Sequence, residues 1–399
     1  MISDGGPDNS GSKRLAAMMQ IKNAVRFAIR VNCRPLGHCG CYKFPRLASI
    51  ALPMKSAPTG PAKLAKLFGL FFAICLGLGY PSLNRVDWRT AGGLTDVRCY
   101  AGMVAGHTTE CESHMRFRVL TPLIARPVYS AAKGHIGTWD PAMLGLLVAN
   151  SLFVAGTATL LMMATEVVTR EAATAMGAGL LYLLNFAIPN LRLAGFLDAS
   201  QDFFLMAAAW CLLQRRWWMI SIVAVFGALG KESCVPLLMA FSGVWWLCER
   251  KSLERGARAA LWIAAAWVLA LVTLSAVQWR IGHIAQSPLS FGLSLRGDDP
   301  RMAHFLRSLL DRNLWYIFFW LLPLGLLRVG RFPLAWRAAA VAAAATAFAM
   351  DAYYGGAPGT IGRALFSAIG PLLTAAVAML IFPGKEPVRA GNEDVVARL

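Results

Sequence analysis

The feature that most constrains this chain is the length of its apolar runs. Segments near the ~20 residues that a helix needs to cross ~30 Å of hydrocarbon recur along it, with short charged stretches between them. They fall at 67–83, 142–165, 172–189, 194–214, 216–230, 233–248, 259–279, 314–328, 333–352 and 364–382. A backbone in lipid must satisfy its own polar groups, and a run of this kind does so as a helix. A membrane barrel is excluded, because its strands alternate apolar and polar over about ten residues. Only 15% of the residues are charged and 57% are hydrophobic, whereas soluble domains carry about 25% charged. A soluble multi-domain enzyme and a disordered chain are excluded on the same ground. The expected fold is an all-α polytopic membrane protein of about ten transmembrane helices.

The net charge of +18 invites a nucleic-acid partner, but its distribution points to a membrane. With the N-terminus placed in the cytoplasm, the inner loops and termini hold 24 of the 39 Lys and Arg but only 9 of the 21 acidic residues. That asymmetry is the positive-inside pattern, matched to anionic lipid headgroups. The expectation is an integral membrane protein, of the bacterial inner membrane, with both termini cytoplasmic and membrane lipids rather than nucleic acid as partners.

The chain divides into a basic leader at 1–64, a membrane domain at 65–383 and a polar tail at 384–399. The leader lacks the apolar core of a secretory signal. Lys22, Arg26 and Arg30 share one helical face with Val25 and Ile29 on another, so it reads either as an amphipathic surface helix or as a disordered extension ahead of Met54. Cys33, His38, Cys39 and Cys41 do not match ordinary zinc spacing.

The first outside loop, 84–141, is far longer than its neighbours, and loops of that length tend to be functional or disordered. Its composition is not that of a disordered segment. Val119, Leu120, Leu123, Ile124 and Val128 recur at helical spacing, which predicts an amphipathic helix on the outer surface. A second is predicted over 97–105, with Asp96 at its start, where a carboxylate is favoured. Asp96 is then either a general base above the membrane or a helix cap. Cys99 and Cys111 both lie outside and could pair in an oxidising compartment. The loop 280–313 reads as a solvated connector.

Charges near the membrane segments are the other signal. Lys231 and Glu232 break an otherwise apolar stretch from Trp217 to Cys248 into two pieces of about fifteen residues, each rising about 22 Å. The Lys-Glu turn is therefore expected below the outer interface. Ionisable groups at that depth usually line a cavity or pathway, although they could instead pair with each other to tie two helices. Asp198 and Asp202 lie at i and i+4 on one helical face. Two carboxylates so close would raise one pKa or recruit a cation, unless they form a solvated helix end. Arg363 follows a Gly-rich stretch at the start of the last segment and could clamp a phosphate or snorkel to lipid headgroups.

The order of these elements resembles the GT-C fold of polytopic glycosyltransferases over residues 65–382. A first span is followed by a long outside loop with an acid near its start and then by many apolar spans. Asp96 with Tyr100 is similar to the acid-and-tyrosine start of that loop. Arg118-Val119-Leu120-Thr121-Pro122 is similar to an Arg-x-Leu-x-Pro segment of bacterial members, such as the mannosyltransferase-like ones. Gly230-Lys231-Glu232 resembles a Lys-Glu turn in the same proteins, and Gly362-Arg363 their closing arginine. The departure is at Val97, where many members carry a second acid.

The resemblance implies a transferase that moves a sugar from a polyprenyl-phosphate donor to a lipid-linked or small acceptor on the extracytoplasmic face. Asp96 would be the catalytic base. Arg116, Arg118, Lys231, Glu232, Arg363, Asp198, Asp202 and Tyr100 would bind substrate or its phosphate. No residue pattern supplies a metal site, while a divalent cation would suit the paired carboxylates. A membrane transporter or lipid flippase, and a non-catalytic membrane scaffold, are the alternatives. Neither needs a base at Asp96.

Overall fold

The computed structural model describes residues 60–85, 95–107, 111, 114–250, 256–283, 301–354 and 360–383. The leader up to residue 59, the tail and residues 284–300 of the connector lie outside the described residues. The described residues are helical throughout, with no strand among them.

In chain order the α-helices are α1 (Pro61–Arg85), α2 (Thr95–Ala105), α3 (Leu120–Ala132), α4 (Pro141–Thr169), α5 (Ala172–Leu184), α6 (Asp198–Leu213) and α7 (Met219–Gly230). Then come α8 (Cys234–Glu249), α9 (Gly256–Gly282), α10 (Arg301–Leu309), α11 (Arg312–Phe318), α12 (Leu321–Arg328), α13 (Leu334–Tyr354) and α14 (Thr360–Ile381). Local chemistry sets several ends. Pro141 opens α4 at a position whose missing N–H costs nothing. The Asp140 carboxylate caps that helix by accepting from the Ala142 and Met143 amides at 2.8 and 3.2 Å. α4 stops at Arg170, whose φ of 60° is left-handed.

Five helices are long and apolar enough to cross a membrane: Pro61–Leu83, Pro141–Thr169, Gly256–Gly282, the run Arg312–Arg331, and Ile361–Ile381. Three further apolar helices, α5, α7 and α8, have 13, 12 and 16 residues. Each is shorter than one hydrocarbon thickness at 1.5 Å per residue. The ten expected segments thus all carry helix, but length and apolarity single out five.

The bundle is layered. α4 and α14 are its inner helices: α4 packs against α1, α3, α5 and α6, and α14 against α5, α6, α12 and α13. α9 is peripheral and turns Leu261, Val268, Val272 and Trp279 outward, as the α11–α12 run does with Phe319, Leu326 and Leu327. A soluble protein would not expose so much contiguous apolar surface. These faces meet membrane lipid.

The two amphipathic helices expected in the first long loop are present as α2 and α3. α2 has only 11 residues, too few to persist alone in water. It is held by a small separate core of Val97, Cys99, Tyr100, Met103 and Val104 against Met115, Ala125, Met143, Leu146 and Phe196. Burying side chains of this size contributes about 1.5–3 kcal/mol each, enough to fix a short helix on the end of the bundle.

Candidate functional site

Six of the charged residues singled out in the sequence, Asp96, Arg118, Asp198, Lys231, Glu232 and Arg363, meet at one end of the bundle, where α6 and α14 begin and α7 turns into α8. Two glycines let the backbones approach there. A Cβ at Gly230 would lie 2.8 Å from the Ser200 hydroxyl oxygen, and one at Gly362 would lie 3.0 Å from the Leu314 backbone. The first glycine brings Lys231 onto the start of α6, and the second seats the start of α14, which carries Arg363, against α11.

Asp198 is the hub. Its side chain is 1% exposed. One carboxylate oxygen accepts from the Lys231 ammonium. The other accepts from Arg363, with Nε at 2.7 Å and Nη2 also bonded. Arg192 Nη1 stands 3.7 Å from that second oxygen. The helix end expected to be solvated or to recruit a cation is instead closed by three basic side chains of the chain itself.

Asp96 sits in the first turn of α2, its Oδ2 3.8 Å from Arg363 Nη2. Its side chain is 23% exposed, the most open of the carboxylates here apart from Glu232. The Arg363 guanidinium also lies over the Phe196 ring, 4.1 Å from its centroid, close enough for a cation–π contact. The Phe196 carbonyl in turn accepts from buried Asn150 at 2.8 Å.

Glu232 takes a different partner from its neighbour Lys231. Arg118 holds it through both arms of the guanidinium, Nε to Oε2 at 2.7 Å and Nη2 to Oε1, a bidentate pairing that favours Arg over Lys. The third arm of Arg118 donates to the Tyr100 hydroxyl. Burial opposes ionisation of Glu232, but Arg118 outweighs it and holds the carboxyl at about 2. Burial raises the Tyr100 hydroxyl above its usual value, so it stays protonated. Lys231 and Glu232 are thus not an internal pair. Each ties its turn to a separate element.

Direct contacts therefore join Asp96, Arg363, Asp198 and Lys231 in one chain of charges, with Glu232, Arg118 and Tyr100 reached through the Lys231–Glu232 peptide. Asp202 belongs to a second, fully buried cluster one helical turn along α6. It accepts from Arg192 Nε and Nη2 at 2.7 and 2.9 Å, from the Tyr182 hydroxyl at 2.8 Å and from Ser367. Arg116 lies over the Phe117 ring, 5.3 Å from its centroid. Among the described residues no group of three or more His, Cys, Asp or Glu comes together as a metal ion requires.

Sequence reasoning missed Arg192. α5 ends at Leu184, and the chain passes through a short π-helical turn, Ile188–Arg192, before α6. Such turns are uncommon and often mark functional sites. The available signal was an arginine between Leu191 and Leu193 inside apolar sequence, a costly placement that implies a partner.

Cys99 and Cys111 form a disulfide. It fastens α2, with Asp96 and Tyr100, to the segment that leads to Arg118. A closed loop of this size is worth about 3 kcal/mol. Replacing both cysteines by serine is expected to lower the melting temperature in detergent by several degrees, and dithiothreitol to do the same to the wild-type protein. An unchanged melting temperature in both cases would show that the bridge carries no stability.

No protein-family model, curated protein or solved structure matches this chain.

Proposed function

We propose that the protein is a membrane glycosyltransferase that moves a sugar from a polyprenyl-phosphate donor to a lipid-linked or small acceptor on the extracytoplasmic face. The observation that carries this reading is the meeting of Asp96 with Arg363, Lys231, Asp198, Glu232, Arg118 and Tyr100 at one end of the bundle. Residues nearly 270 positions apart in sequence contribute to it. A scaffold has no need of such a cluster beneath a partly open carboxylate.

The chemistry assigned to it is simple. The Asp96 carboxylate takes the proton of an acceptor hydroxyl. The acceptor oxygen bonds to the anomeric carbon as the bond from that carbon to the phosphate oxygen breaks. The phosphate leaves with the electron pair. Because a lipid phosphate is already a good leaving group, one base suffices, where glycosidases use two carboxyl groups. Asp198 is outnumbered by Lys231 and Arg363, which leaves positive charge beside Asp96 to meet the charge that develops on the phosphate. With both termini in the cytoplasm of a bacterial inner membrane, the orientation that the Lys and Arg distribution favours, this end of the bundle faces outward.

The test is transfer by the purified protein in liposomes supplied with a panel of radiolabelled polyprenyl-phosphate hexoses and pentoses, together with a membrane-lipid extract as acceptor. Label is expected to move from one donor into a new product. Failure with every donor, or movement of intact donor across the bilayer without a new product, would overturn the reading, the second outcome in favour of a flippase.

A further inference from the structure

We infer that Arg192 is a positioning residue that sets the Arg363–Asp198 contact, and through it the cation beside Asp96. This inference deepens the reading above and rests on it for its link to catalysis. The geometric part stands on its own.

Arg192 is wholly buried, and a single guanidinium touches both ends of the contact in question. Its Nη2 donates to the main-chain carbonyl of Arg363 at 2.8 Å and to the Ser367 hydroxyl at 3.1 Å, one turn along α14. Its Nη1 faces the Asp198 carboxylate at 3.7 Å and has no hydrogen-bond partner of its own. Its Nε and Nη2 grip Asp202, and Asp202 is i+4 from Asp198 on α6. The guanidinium also lies 5.3 Å from the centre of the Phe366 ring on α14.

The consequence is mechanical. The grip on Asp202 fixes Arg192 to the face of α6 that carries Asp198. The bond to the Arg363 carbonyl fixes the rotation of α14 about its axis. Together they leave the Arg363 side chain aimed at Asp198, with its outer nitrogen toward Asp96. Only a planar fork with five donors meets partners in these three directions. A lysine brings one point charge and reaches one of them.

The experiment is arginine side-chain NMR of the full chain in nanodiscs, with arginine labelled in 15N. The Nε–H resonance of Arg363 is identified by its loss in Arg363→Lys, and that of Arg118 by its loss in Arg118→Lys. In Arg192→Lys the Arg363 resonance is expected to shift and its exchange with water to rise at least tenfold, while the Arg118 resonance stays in place. A general loosening of the fold would move both. An unchanged Arg363 resonance in folded Arg192→Lys overturns the inference. Should that variant not fold, Asp202→Asn weakens the same grip while keeping the shape. The Arg363 resonance is then expected to move in the same direction, and its constancy would be equally fatal. In the transfer assay, Arg192→Lys is expected to lower kcat about 100-fold with little change in KM. Absence of transfer in the wild-type protein would defeat the proposed function while leaving the NMR result to decide the positioning role.

Discussion

Replacing Asp198 by alanine is expected to cost the protein its stable fold. The carboxylate is buried between Lys231 and Arg363, with Arg192 close behind. Removing it leaves two direct cationic partners and one near neighbour with nothing to balance them. Breaking a buried ion pair from one side costs about 3–5 kcal/mol, a large part of the about 5–15 kcal/mol that holds a typical domain together. The melting temperature in detergent is expected to fall by about 10 °C, with a sharp loss of monodisperse protein. Adding Lys231→Met should restore part of that loss, because it removes one stranded cation and fills its space with an apolar chain. The two substitutions touch, so their effects are expected not to add. If Asp198→Ala melts within about 1 °C of wild type, the residue is not the hub of this network and the electrostatic account of the site is wrong.

How much of this was legible in the sequence depended on the range of the interaction. The helical class, the positions of the ten apolar segments and the two amphipathic helices of the long loop follow from periodicity, a local property. α3 begins at Leu120, one residue into the apolar stripe that starts at Val119, and α2 begins at Thr95 ahead of an acid that suits a helix N-terminus. The separate residues of the site were also visible, since a lysine or aspartate inside apolar sequence must be explained. Their pairing was not. Lys231 and Glu232 are neighbours, and the choice lay between a mutual pair and a cavity lining. The partners they take, Asp198 and Arg118, lie 33 and 114 residues away, and only the packing of α6 and the first loop against the α7–α8 turn selects them. Asp198 and Asp202 looked like a matched pair of carboxylates but take different partners, Asp198 Lys231 and Arg363 in the partly open cluster and Asp202 Tyr182 and Ser367 in the closed one, with Arg192 between them. Arg192 was hidden for another reason. A π-helical turn has no periodicity that a sequence pattern can register, and the residue fell between two segments that were each read as whole. The span count was not legible for a related reason: α5, α7 and α8 are as apolar as spans, but their 12 to 16 residues fall short of one hydrocarbon thickness.

Asp96→Asn is expected to show the opposite behaviour to Asp198→Ala: an intact protein with no chemistry. The Asp96 side chain is 23% exposed, and its contact with Arg363 is 3.8 Å, longer than a hydrogen bond. An ion pair of that kind contributes about 0–1 kcal/mol, so the melting temperature should move by no more than about 2 °C. Asparagine keeps the shape of the side chain and can still accept a hydrogen bond from the helix, which preserves any capping role. It cannot take a proton from an acceptor hydroxyl. General-base catalysis contributes about 10²- to 10⁴-fold, and transfer should fall by about 10³-fold. Asp96→Glu separates position from charge. The carboxylate is retained but carried one methylene further from α2, and a displacement near 1 Å costs about 10²-fold. The expected order of activity is therefore wild type, then glutamate, then asparagine, with all three equally folded. If asparagine retains transfer, Asp96 is a helix cap and the base must be sought elsewhere, with Glu232 a poor substitute because Arg118 already occupies both of its oxygens.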